Sequence, residues 1–327
     1  MTNKEHKHND KKTTRKHKPK ITKYEVSRWK PSVYSSLNKR QTLKNLKNNE
    51  TIRCSANRSE HSYTCYSSKS LHKLKKYWNI RHPERQIRTN DNREIWKALK
   101  TNMQNACKNE ACWLKQLFIK NNLDQELLSH TFAPYSPRSW NTDPNTWLTS
   151  VDIDNVMQQY EEELRNFEFI GPSPIDFDKK KAYGECVWEE LCHLNLKNKL
   201  KEGIYKIGIV FNTDPHTESG EHWIALFINI KKRYIMYFDS TGAKMPREVG
   251  ALIKRLEKQF TEMGVGVKVY TNEGFKHQQS DTECGIYVMY FILELAMEAK
   301  TPEYFKHKII PDDDMMRLRK IYFNEQR

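Results

Sequence analysis

Apolar residues recur along this chain with two different periods, and the structure should change where the period does. Residues 1–90 show neither period: they are rich in Lys, Asn, Ser, Thr and His and hold few apolar positions. From residue 93 the spacing becomes helical. Ile95, Trp96, Leu99, Met103 and Ala106 define one helix; Trp113, Leu114, Leu117 and Phe118 define a second that closes at Asn121-Asn122. Three prolines among Ser, Asn and Asp residues make a loop of Phe132 to Pro144. Thr149-Ser150-Val151-Asp152 opens a further helix that runs to Phe167, with Ser150 or Asp152 as its cap. Gly171-Pro172-Ser173-Pro174 ends it.

From residue 204 the pattern becomes that of strands. Tyr205–Phe211, Trp223–Ile230, Arg233–Phe238 and Gly266–Tyr270 are short and rich in Ile, Val, Tyr and Phe, and Lys231-Lys232 turns the second into the third. Arg247–Phe260 is an amphipathic helix with Val249, Leu252, Ile253, Leu256 and Phe260 on one face. Cys284–Ala299 reads as a buried helix, and a last helix runs from Asp312 to Phe323. Strands, a crossover helix, a further strand and a buried helix predict an α+β domain over residues 201–327. A helical arm domain over 91–200 and a basic tail over 1–90, too polar to bury a core of its own, complete the expected organisation.

Composition sharpens this picture. The hydrophobic fraction is 37% and the charged fraction 30%, so part of the chain should lie outside any packed core. Residues 1–50 hold 15 Lys+Arg against 4 Asp+Glu, which places +11 of the net +15 there and assigns the basic character to a tail. A solvated leader is the plain reading; an electrostatic contact to DNA or another polyanion is the functional one. Tyr24, Trp29 and Tyr34 can stack on bases, at a spacing that specifies nothing. No run approaches the roughly 18 apolar residues of a membrane helix, and the N-terminus lacks the apolar stretch of a signal peptide. No membrane insertion is expected, and the seven cysteines should be mostly reduced thiols. Cys107 and Cys112 with Cys54, Cys65 and His61 are too loosely spaced for zinc, and glycine-rich phosphate loops are absent, so neither a metal nor a cofactor is expected.

The candidate chemistry lies in the C-terminal part. Cys284 is followed by glycine and an apolar helix, so its thiol sits at a helix N-terminus, where unpaired N–H groups favour a thiolate. A thiol also needs an imidazole, and the imidazole needs an acceptor that fixes its tautomer. His222 begins one strand and Asp239 ends the next strand of a hairpin, which brings both to one sheet edge. Gln278, six residues before Cys284, can return its amide to the thiol and, with a backbone N–H, hold an oxyanion. Each residue alone has an ordinary reading: a core thiol, a strand-end histidine, a turn carboxylate, a loop glutamine. Their order and strand placement together favour a cysteine hydrolase.

These residues, in the strings Gly220-Glu221-His222-Trp223-Ile224-Ala225, Tyr237-Phe238-Asp239-Ser240 and His277-Gln278 with Thr282-Glu283-Cys284-Gly285, resemble the SUMO-protease and adenovirus-type protease clan. Within it they are most similar to the African swine fever virus-type polyprotein-processing cysteine proteases of large DNA viruses. The resemblance implies a ubiquitin-like-protease core with a mixed β-sheet and a buried nucleophile helix. It implies Cys284 as nucleophile, His222 as base, Asp239 in the third position of the triad and Gln278 as oxyanion donor, with Gln279 the second choice. The swine fever enzymes have asparagine where Asp239 stands, and the clan often has Asp where this chain has Glu283. Trp223 resembles the tryptophan that narrows the substrate channel, although as a bare residue it reads equally well as core. The implied activity is endopeptidase cleavage of viral structural polyproteins after Gly-Gly in Gly-Gly-Xaa sites, in the viral factory of the host cytoplasm and in the virion. The alternatives are an isopeptidase for ubiquitin or SUMO-like modifiers and a non-catalytic nucleic-acid-binding scaffold.

Overall fold

A computed structural model describes residues 52–56, 61, 63–116 and 131–325. The expected tail over 1–50 and the helix end at Leu117 to Asn122 lie outside the described residues. The helices are α1 (Ser68–Arg81), α2 (Asn92–Met103), α3 (Glu110–Trp113), α4 (Ser150–Glu163), α5 (Glu189–Cys192), α6 (Leu196–Lys201), α7 (Arg247–Glu262), α8 (Cys284–Ala296), α9 (Pro302–His307) and α10 (Asp312–Tyr322). The strands are β1 (Phe167–Pro174), β2 (Lys206–Asn212), β3 (Trp223–Asn229), β4 (Tyr234–Phe238) and β5 (Lys268–Thr271), hydrogen-bonded in that order. The two outer pairs are parallel and the two inner pairs antiparallel. This is the expected α+β core with a mixed sheet.

Both faces of the sheet are covered, so its strands are apolar throughout and the period of two sorts side chains between layers. On β3, Trp223, Ala225 and Phe227 face α8 and α4, while Ile224, Leu226 and Ile228 face α7. The α7 stripe of Val249, Leu252, Ile253, Leu256 and Phe260 closes that second layer as its spacing predicts. α8 is buried all round, as a helix without a polar face must be. Its approach to the sheet depends on Gly208: a Cβ there would stand 2.4 Å from Ile292 Cγ2. Each fully buried Ile, Leu or Phe on α8 contributes on the order of 1.5–3 kcal/mol, so this helix is a rigid base for the cysteine at its start.

The structure corrects five readings. The helix before the sheet ends at Glu163, and the segment read as its terminator is β1, paired in parallel with β2 from Phe167↔Lys206 to Pro174↔Asn212 across an irregularity between Ile170 and Ser173. The domain boundary at 200/201 therefore cuts through the sheet. The α4 cap is Thr149, whose hydroxyl accepts from the Asp152 N–H while the Asp152 carboxylate accepts from the Thr149 N–H.

Nor does the tail reach residue 90: α1 is a helix whose Leu71, Leu74 and Trp78 pack with Tyr66, Ile95, Leu99 and Trp113 into a separate arm core. Its apolar residues are few because only one narrow stripe faces that core. Residues 63–116 also hold 12 Lys+Arg against 4 Asp+Glu, a net of +8, while residues 117–327 hold 27 against 32, a net of −5. The positive charge thus extends into a folded arm attached to an acidic body.

Finally, the cysteines are not mostly thiols. Cys54–Cys65, Cys107–Cys112 and Cys186–Cys192 are disulfides, and Cys284 alone is free. The thiol expectation rested on a missing export signal, which carries no information about which sulfurs meet in the fold. Two of the bridges staple the arm, whose core is small, and small cores are where cross-links matter most.

Candidate active site

Cys284 opens α8 and is buried, with 2% of its surface exposed. His222 directly precedes β3, and Asp239 directly follows β4. The hairpin pairs Ala225 with Phe238 and so brings both to one sheet edge. Its turn is closed by Lys232 N–H donating to Asn229 Oδ1 (2.9 Å). His222 Nε2 donates to Asp239 Oδ1 at 2.9 Å. The same oxygen accepts from the Thr241 N–H and the Thr241 hydroxyl, each at 2.8 Å.

Burial alone would push the His222 pKa down. Hydrogen bonding and charge attraction from Asp239 and from Cys284 outweigh it and raise it to about 10. For Asp239, burial pushes upward, and the bonds and charge of His222 and Thr241 overcome it to hold the carboxyl below its ordinary value. The imidazolium is therefore the resting form at neutral pH. Asp239→Ala removes the leading causes of the raised value. Wild-type kcat/KM should hold up to high pH and fall as pH rises through about 10, whereas the Asp239→Ala limb should move to lower pH with a smaller loss of kcat than His222→Ala gives. An unmoved alkaline limb would show that another group orients His222.

Gln278 is buried, and its amide is fixed in one sense: the Ser240 hydroxyl donates to Gln278 Oε1 at 2.7 Å. Among the described residues no group accepts from its NH₂, which is the end an oxyanion requires. Ser240 O also accepts from the His277 and Gln278 N–H groups, both at 2.9 Å, tying the loop to the end of β4. Gln279 is placed differently: its N–H points at Asp312 and its side-chain NH₂ donates to His277 O. The structure thus brings His222, Asp239, Gln278 and Cys284 to one end of the sheet and sets Gln279 aside.

Trp223 is 8% exposed, and its Nε1–H donates to Leu148 O at 3.0 Å. Gly285, next to Cys284, sits under both residues: a Cβ there would lie 3.1 Å from Leu148 Cβ and 3.4 Å from Trp223 Cδ1. The core and channel readings of Trp223 are therefore compatible, because it packs in the core and also lines a 320 Å³ cavity shared with Gly220, Pro172, Pro174 and Trp188.

Several supporting residues carry no local sequence signal. Asn272 clamps the backbone of Asp239, accepting from its N–H at 3.0 Å and donating to its carbonyl at 2.6 Å. α10 grips the nucleophile loop at two places. Near its start, Asp312 accepts from the Ser280 N–H (2.7 Å) and the Gln279 N–H. Further along, the buried Arg319 donates to Glu283 Oε2 at 2.7 Å, to Thr282 O and to the carbonyls of Pro144 and Thr146. Glu283, which differs from the clan's usual Asp, is thus the partner of that arginine. Arg319→Ala leaves Glu283 buried without its partner and should cost about 3–5 kcal/mol, read as a lowered denaturant midpoint with the slope unchanged. A loss below about 1 kcal/mol would mean that water replaces the arginine.

One trio of metal-type ligands, Cys186, Cys192 and His193, lies within 4.8 Å among the described residues. Its two sulfurs are bonded to each other, so it presents no thiolate pair. The four cysteines nearest to a zinc pattern in the sequence are likewise paired, Cys54 with Cys65 and Cys107 with Cys112.

Comparison with known proteins agrees with this geometry. Residues 199–327 match the Ulp1 protease family, C-terminal catalytic domain. A thiol protease of Acanthamoeba polyphaga mimivirus is 25% identical over 240 residues, covering 72% of this chain and 76% of that protein. The SUMO-1 cysteine protease of an African swine fever virus isolate is 29% identical over 233 residues, 65% of this chain and 81% of that one. The crystal structure of the African swine fever virus protease aligns over 84% of this chain and 98% of its own, with a TM-score of 0.61 at 22% identity, and so shares the fold. The chain is a cysteine protease, and its residues 199–327 match the catalytic domain of the Ulp1 protease family.

Proposed function

We propose that this protease is an endopeptidase that cuts viral structural polyproteins after Gly-Gly during virion maturation. The observation that carries the reading is the arrangement around Cys284: a thiol at a buried helix start, an Asp239-held His222, and a Gln278 amide oriented by Ser240. In this reaction His222 holds the proton as imidazolium while the Cys284 sulfur attacks the carbonyl of the second glycine. Gln278 and a backbone N–H hold the resulting oxyanion. His222 then gives its proton to the leaving amine, and water releases the acyl group from the sulfur. Trp223 and Leu148, closed over Gly285, narrow the approach to the thiol and favour residues without side chains.

The work is placed at assembly sites in the host cytoplasm and in the virion. Three disulfides accord better with the particle than with a reducing cytosol. A basic tail over residues 1–50 is proposed to hold the enzyme on DNA or another polyanion there. No helix among the described residues is long and apolar enough to cross a membrane.

The second reading is an isopeptidase for a ubiquitin-like modifier, favoured by the SUMO-1 protease name of a relative. Incubation with virion polyprotein segments and with a SUMO conjugate, wild type beside Cys284→Ala, with products mapped by mass spectrometry, separates the two. Cleavage after Gly-Gly in the polyprotein supports the first reading; cleavage of the conjugate alone overturns it.

A further inference from the structure

We propose that the outer face of α1, in the folded arm, is a binding surface for the phosphate backbone of a nucleic acid. His72, Lys75, Lys76, Asn79 and Ile80 recur at helical spacing and, with Gln86 from the following turn, line a groove of 550 Å³. That stripe runs roughly 12 Å along the helix, opposite the buried stripe of Leu71, Leu74 and Trp78.

The groove is lined by donors and by no carboxylate. α1 contains no acidic residue at all. Lys75 Nζ rests on neutral acceptors, Thr89 O at 2.8 Å and Asn90 Oδ1 at 2.9 Å, so its charge is positioned but not cancelled. Lys76 lines the groove and the exposed Arg88 follows it, its carbonyl 3.4 Å from Lys75 Nζ; among the described residues neither side chain is paired with a carboxylate. The turn that forms the far wall is held in place by Asn79, whose amide exchanges two hydrogen bonds with the Ile87 backbone, at 2.7 and 2.9 Å.

The kind of partner follows from what the groove lacks. A protein interface needs an apolar centre, and this one offers a single apolar side chain, Ile80. Rigidly placed cations and amide donors suit phosphate oxygens, which are bound without regard to base sequence. The arm carries +8 and the body −5, so a polyanion held here would sit on the arm and be repelled by the catalytic body. The surface thus differs from the tail contact proposed above and does not depend on the protease's substrate.

The test uses the full chain and a labelled duplex of random sequence, titrated across a salt series. Lys76→Ala with Arg88→Ala should weaken binding at least about tenfold at low salt. The slope of log K against log salt should become shallower by about 2, one for each phosphate that is no longer neutralised. Peptide turnover and the thermal midpoint should not change. Lys76→Arg with Arg88→Lys should restore the slope. An unchanged slope in the alanine variant would place all binding elsewhere, residues 1–50 included. Equal weakening in the charge-retaining variant would show that the effect is structural. Displacement of the duplex by poly-glutamate at equal charge concentration would make this a surface for an acidic protein. Each of these three results overturns the proposal.

Discussion

Cys284→Ala will give a folded protein with no measurable peptide cleavage. The expectation has two halves with separate physical grounds. Chemistry stops because Cys284 is the free sulfur among the described residues and none of the other cysteines can replace it: each is locked in a disulfide. The fold survives because the missing Sγ is small and its place at the first residue of α8 asks nothing of the side chain for helix formation. α8 is held instead by its apolar surface, by Gly208 and Gly285 at its two close approaches, and by the α10 hydrogen bonds to the loop before it. Far-UV circular dichroism and thermal midpoint beside wild type check the second half, and turnover of a Gly-Gly peptide checks the first. Substantial cleavage by a soluble, native-like Cys284→Ala protein would remove the nucleophile assignment.

Gln278→Ala should lower kcat by roughly 10²–10³ with little change in KM, the usual loss for one oxyanion donor. Ser240 gives this prediction a finer version. Its hydroxyl donates to Gln278 Oε1 and so decides which end of the amide faces away. Ser240→Ala removes that bond and leaves the amide free to rotate, so it should lower kcat in the same direction but by less, about tenfold, again with KM nearly constant. In the double variant the Ser240 effect should vanish, since there is no amide left to orient. A Ser240→Ala loss that persists in full on top of Gln278→Ala would mean the hydroxyl acts on something else. A Gln278→Ala defect confined to KM would move that residue from the oxyanion to substrate binding.

What the sequence disclosed and what it hid divide along physical lines. β2 to β5, α7 and α8 were legible because each is long enough, or apolar enough, for its period to stand out; the β3–β4 hairpin alone implies that His222 and Asp239 share one edge. β1 was hidden because Gly171-Pro172-Ser173-Pro174 has the composition of a break, and its parallel partner lies 39 residues further along at Phe167↔Lys206. α1 was hidden because its buried stripe is only three residues wide within a lysine-rich helix. Disulfide partners and the grip of Arg319 on Glu283 join distant segments, and neither leaves a local pattern. Ser240 and Asn272 were hidden for the same reason: their work is to hold other catalytic-site residues still, and only the positions of those residues reveal it.

The position of β1 decides how this protein can be dissected. A fragment beginning at residue 199 holds the whole proposed catalytic set and matches the family boundary, yet it lacks the strand that covers one side of β2. Alternate residues of the backbone from Lys206 to Asn212 would then present unpaired N–H and C=O groups on the side that faced β1, an open edge that invites intermolecular pairing. The fragment should be recovered as insoluble aggregates, whereas one beginning before Thr149 keeps β1 and α4 and should stay monodisperse. The smallest autonomous unit is therefore set by sheet closure, not by the span over which the chemistry is encoded.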